Sequence, residues 1–90
     1  MSFEFDPKKS ASNKAKHGID FVEAQELWNG DVFEIPAMTT EGETRYAVLG
    51  EIKGAPYTVI ITYRGANLRI ISARASSKNE AAKYAEYKKQ

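Results

Sequence analysis

Three arginines recur through the last third of the chain, at Arg64, Arg69 and Arg74, and His17 is the only histidine. A guanidinium presents a planar fork of donors that fits phosphate oxygens and keeps its charge at any working pH. Arg64 falls at the mouth of a turn. Arg74 falls near a strand end, just before a helix whose free N–H groups also attract anions. Arg69 and Arg74 are five residues apart, which places them on opposite faces of an unbroken strand. They converge only if the strand bulges or Arg69 wraps an edge; otherwise each is a surface charge answered by the acidic N-terminal half. Histidine is the side chain that changes charge nearest to neutrality. His17, between Lys16 and Gly18, reads either as a proton donor or acceptor at a helix end, or as a cation complementing the helix dipole for about 0.3–1 kcal/mol. Tyr84, close to Lys83 and Lys88, reads as a base or phosphate contact, or as a packing residue.

These side chains suit a polyanion, above all RNA; for a ribonuclease, the activity implied by the family resemblance given below, RNA's own 2′-hydroxyl is the nucleophile and no metal is needed. The catalyst must help remove that proton, stabilise a phosphorane and protonate the leaving 5′-oxygen. Losing one fixed donor aimed at developing charge typically costs about 10²–10³ in rate; acid–base help typically contributes about 10²–10⁴. On this reading His17 transfers a proton, Arg64 and Arg74 hold the phosphorane, Tyr84 assists, and Lys16, Arg69 and Lys83 bind the RNA. A lone histidine needs a partner: Lys16, Tyr84, a carboxylate or water. The same residues also fit two rivals: a non-catalytic nucleic-acid-binding module, and a protein-interaction domain whose basic face meets an acidic partner.

Charge patterning favours a polyanion. From Met1 to Tyr63 six Lys/Arg face ten Asp/Glu; from Arg64 to Gln90 seven face two, so a net charge of +1 conceals a basic C-terminal third. With 90 residues, one domain over residues 1–90 with a thin core is expected. There is no cysteine, hence no disulfide, thiol nucleophile or cysteine-held zinc, and no metal or cofactor is expected. A charged pair interrupts the N-terminus before any apolar stretch, unlike a signal peptide, and no run approaches the roughly 18 apolar residues of a membrane span. The expected compartment is the cytoplasm.

The elements that must position these groups follow from periodicity and caps. Phe3-Glu4-Phe5 reads as a brief edge strand. Asp6-Pro7 starts a helix that Gly18 ends. Asp20 and Glu23 form a capping box for a second helix with an apolar face of Phe21, Ala24, Leu27 and Trp28. Val32 to Pro36 suits a strand and Ala37 to Thr44 a polar loop. Strands over Tyr46–Ile52, Tyr57–Tyr63 and Leu68–Ala75, joined by short turns, predict an antiparallel meander. Ser77 and Glu80 box a last helix to about Lys88. The expected class is α+β: a small antiparallel sheet of three or four strands, two N-terminal helices and one C-terminal helix.

Two segments carry a family resemblance. Phe5-Asp6-Pro7-Lys8-Lys9 followed by Asn13-Lys14-Ala15-Lys16-His17-Gly18-Ile19-Asp20-Phe21 resembles the start of the BrnT toxins, with their K-H-G-V/I-x-F motif. Tyr63-Arg64-Gly65 with Leu68-Arg69-Ile70-Ile71-Ser72-Ala73-Arg74 resembles their second motif, R-I-I-S-A-R, which leads to an E-x-x-x-Y spacing met here by Glu80 and Tyr84. The chain departs from the pattern at Phe5, where tryptophan is common, and in a last helix poorer in arginine. The resemblance implies a RelE-like fold, ribonuclease activity as the toxin of a type II toxin–antitoxin system, and a BrnA-like antitoxin that binds and silences it in a hetero-oligomer.

Overall fold

The computed structural model describes residues 2–90. Its elements are β1 (Ser2–Glu4), α1 (Pro7–His17), a 3₁₀ helix (Glu23–Asn29), β2 (Phe33–Thr40), β3 (Glu43–Ile52), β4 (Ala55–Arg64), β5 (Asn67–Ala75) and α2 (Lys78–Lys88). The five strands form one sheet in the order β1-β5-β4-β3-β2. Consecutive strands β2 to β5 pair antiparallel, while β1 pairs parallel with β5, Phe3 opposite Leu68 and Glu4 opposite Arg69.

The chain is α+β, but the expected sheet is corrected: five strands and a mixed pattern stand in place of the three- or four-stranded antiparallel, RelE-like arrangement. Two causes are local. The stretch expected to be a loop, Ala37 to Thr44, instead carries the end of β2 and the start of β3, joined at Glu41-Gly42. Both turn residues have positive φ (52° and 78°), the backbone of a two-residue hairpin. The polar character that suggested a loop comes from β2 lying at the sheet edge. At the other edge, β1 is three residues long, too short for alternation to reveal a partner more than sixty residues away.

The second N-terminal helix is also corrected. The capping box forms, with Asp20 Oδ1 accepting from the Glu23 amide (2.7 Å) and Glu23 Oε1 accepting from the Asp20 amide (2.9 Å). What it opens is a 3₁₀ helix. Phe21, Ala24 and Leu27, all fully buried, recur every three residues, which is the period of 3₁₀ winding.

One face of the sheet packs under α1 and the 3₁₀ helix, burying Val48, Val59, Ile61, Leu68, Ile70 and Ala73 against Phe21, Ala24 and Leu27. Gly50 lies on this face because Leu27 comes too close for anything larger: a Cβ there would stand 2.8 Å from Leu27 Cγ. The opposite face is covered only in part. There α2 lays Tyr84 and Tyr87 over Ala47, Leu49, Phe33, Ile35 and Ile60. Among the described residues no helix is long and apolar enough to cross a membrane.

Candidate active site

The α1 helix begins as its sequence dictates. Asp6 Oδ1 accepts from the Lys8 amide (2.8 Å) with Pro7 in the first turn, and Gly18 closes the helix at φ 75°. Buried Asn13 ties the helix to the sheet. Its Nδ2 donates to the carbonyls of Ile19 and Ala73 (2.8 Å each) and its Oδ1 accepts from the Ala73 amide (3.2 Å). β1 covers β5 only from Asn67 to Arg69, so the Asn13 amide satisfies the strand edge where β1 has ended.

Between α1 and that edge runs a groove of about 300 Å³ lined by Lys9, Ser12, Asn13, Lys16, His17, Ile71 and Ser72. Three basic side chains line it and no carboxylate does. The neighbouring groove by Lys53 carries Glu23 and Glu26, and the groove beside α2 carries Glu86. Lys9, Lys16 and His17 are exposed. Helix C-terminal carbonyls disfavour an anion, and the cluster of cations in the last turn offsets them. Lys14 points elsewhere, to Glu23 Oε1 (2.7 Å), which raises its affinity for its proton.

β5 supplies the other wall, and it bulges. Ile60 pairs with Ser72 and Ile61 with Ile70, leaving Ile71 as the extra residue. The bulge reverses the alternation between Ile70 and Ser72. Arg69 (opposite Thr62), Ser72 (opposite Ile60) and Arg74 (opposite Thr58) therefore share the α2-side face. Ser72 thus belongs both to the groove and to the row of arginines.

Both arginines are held in place. Arg74 donates from both terminal nitrogens to Glu80 (2.6 and 2.8 Å). Glu80 also accepts from the Ser77 amide and the Thr58 hydroxyl, completing the second capping box at the start of α2. The Arg74 hydrogen bonds hold the Glu80 carboxyl down at about 2 against the opposing effect of burial, and Glu80 in turn strengthens the Arg74 charge. Arg69 donates to Glu4 Oε2 (2.8 Å), which, with Asn67, lowers the Glu4 pKa.

The other expected site residues lie elsewhere. Arg64 pairs with Glu43 (3.4 Å) opposite Asn67, six residues along β4 from the Thr58–Arg74 pair. At the rise of a strand that is roughly 20 Å, too far for both arginines to hold one phosphorane. Tyr84 is buried and its hydroxyl donates to the Asp31 carbonyl (2.8 Å), while burial raises its pKa; it anchors α2. Lys83 lines the groove between α2 and β2, on the far side of the sheet order from α1. Sequence reasoning missed Lys9, Ser72 and the Glu80 clamp. All three lie inside the motif segments, but only the fold shows that they meet.

The family model for the BrnT ribonuclease toxin of type II toxin–antitoxin systems matches residues 5–80, which includes both walls of the groove and the Arg74–Glu80 pair. The chain belongs to the BrnT family. Its membership makes it a ribonuclease toxin of the type II class, with RNA as target and a protein antitoxin as partner. A comparison with curated proteins returns no match. Within the BrnT family frame, the groove beside His17 combines an imidazole with two exposed lysines, Lys9 and Lys16. Among the described residues there is no cluster of three or more His, Cys, Asp or Glu suited to a metal ion.

Proposed function

We propose that this BrnT toxin cleaves RNA in the cytoplasm without a metal, using the groove between α1 and β5. The carboxylate-free lining of Lys9, Lys16 and His17 beside Ser72 carries this reading. His17 moves a proton, Lys16 and Lys9 hold phosphates, and Arg69 and Arg74 stabilise charge from the adjoining face. The 2′-hydroxyl gives up its proton and its oxygen bonds to phosphorus. The bond from phosphorus to the 5′-oxygen breaks, and that oxygen takes a proton, leaving a 2′,3′-cyclic phosphate and a free 5′-hydroxyl. Arg64, Tyr84 and Lys83, distant or buried, are given no part in this chemistry. A BrnA-like antitoxin silences the enzyme within a hetero-oligomer.

Purified, antitoxin-free protein incubated with an RNA oligonucleotide in EDTA tests the reading. Cleavage is expected, with cyclic-phosphate ends, and none of DNA of matched sequence. Activity abolished by EDTA and restored by Mg²⁺, or cutting of the DNA, contradicts it.

A further inference from the structure

The α2-side face of the sheet is only half covered. Beyond Ala47 and Ile60, where α2 stops, Arg45, Arg64 and Arg69 lie on that face with Glu43 and Glu4 among them. Alternation places Arg45 with Ala47 and Leu49, and Arg64 and Thr62 with Ile60. Thr62 is buried, at 2% exposure. Arg45 Nε is buried and makes no hydrogen bond; the carboxylate it faces, Glu43 Oε2, stands 3.8 Å away, so this donor is only loosely satisfied in the free chain.

Next to this tier lies an apolar groove of about 490 Å³ between β2 and α2, with Phe33 and Tyr87 stacked at 4.7 Å along it. Ile35 in the groove and Met38, opposite Arg45 and 59% exposed, join the two areas across β2.

We propose that this continuous surface is where the protein antitoxin docks, an apolar segment filling the β2–α2 groove and carboxylates meeting Arg45, Arg64 and Arg69. The inference rests on the toxin–antitoxin reading. An apolar centre with aromatics, bordered by arginines, is the anatomy of a protein interface. RNA suits it less: Glu43 stands between Arg45 and Arg64 and would repel phosphates, whereas the α1–β5 groove carries no carboxylate. A stable interface takes about 800 Å² from each partner. Against the 5614 Å² of this chain, that is about a seventh of the whole surface, the scale of an extended face and not of a single pocket. The antitoxin would reach the RNA site through Arg69, which belongs to both.

The probe is the antitoxin that co-purifies when the chain is expressed with its flanking DNA. Arg64→Glu and Met38→Asp change exposed side chains outside the catalytic groove, so folding survives in at least one, confirmed by melting. Each is expected to weaken antitoxin affinity at least about tenfold, measured by calorimetry, while RNA cleavage by the free toxin is unchanged. Unchanged antitoxin affinity in both folded variants overturns the proposal, as does failure of any partner to co-purify. Lost RNA cleavage with antitoxin affinity intact would make the face an RNA path instead. A free toxin that never cuts RNA overturns the ribonuclease reading, and leaves the docking result to be judged by affinity alone.

Discussion

His17→Ala separates catalysis from helix capping because the fold makes so little use of the imidazole. His17 is exposed, and among the described residues its side chain takes part in no hydrogen bond or ion pair. The helix end does not depend on it: the Gly18 amide still donates to the Lys14 carbonyl (2.9 Å), and Lys14 and Lys16 still complement the dipole. The expected loss of stability is therefore at most about 1 kcal/mol, and about 0.5 kcal/mol is typical of such surface changes. For a domain of this size, 1 kcal/mol lowers Tm by roughly 4–8 °C. Loss of acid–base help predicts a fall in cleavage rate of about 10²–10⁴. That corresponds to about 3–5 kcal/mol of barrier, well above any stability effect. Single-turnover cleavage of a labelled RNA in EDTA gives the rate, and a circular-dichroism melt gives Tm. An unchanged rate with a lowered Tm would refute the argument and leave His17 as a cap.

Arg74→Ala, shown to be folded by its melt, is expected to lower the cleavage rate about 10²-fold, whereas Arg64→Ala leaves it unchanged; equal losses in the same assay would contradict the separation of these two arginines along the sheet. Gly50→Ala should destabilise the fold by about 1–3 kcal/mol in urea unfolding, since its Cβ would meet Leu27 at 2.8 Å; a neutral result would mean that Leu27 gives way freely. Glu80 has a folded pKa of about 2, below its ordinary 4.5, so the stability it contributes is fully present above about pH 4.5 and is lost as pH falls towards 2. Glu80→Gln should be less stable at neutral pH and lose less over that window, with Tm followed against pH; curves that stay parallel to the parent's would show that the clamp is not linked to folding.

Much of the framework is written locally. Asp6-Pro7, Gly18, the Asp20–Glu23 box and the Ser77–Glu80 box each form at the residues that announce them, because each is a contact between neighbours in sequence. What escapes the sequence is long-range or depends on position in the sheet. The pairing of β1 with β5 joins residues more than sixty positions apart, and the polar end of β2 resembles a loop because an edge strand has water on one side. The site divides in the same way. The residues of the α1–β5 groove are visible as types, but Asn13, the side chain that fixes the groove, looks like any polar helix residue until its amide is seen on the Ala73 backbone.

The bulge at Ile71 shows why the arginines could not be placed from spacing alone. In a regular strand, core residues recur every second position, yet Ile70 and Ala73 are three apart and both buried on the same face. Only an extra residue between them allows this, and Ile71 and Ser72, two half-buried residues in succession, mark where it lies. The same insertion carries Arg74 across to the face of Arg69. Core packing and arginine placement are thus one constraint: removing the bulge would either take Ala73 out of the core, away from the Asn13 amide, or separate the two arginines. The order Arg-Ile-Ile-Ser-Ala-Arg reads as outward, inward, bulge, outward, inward, outward. On the proposed mechanism, the break in strand periodicity falls where the edge of β5 lines the RNA groove.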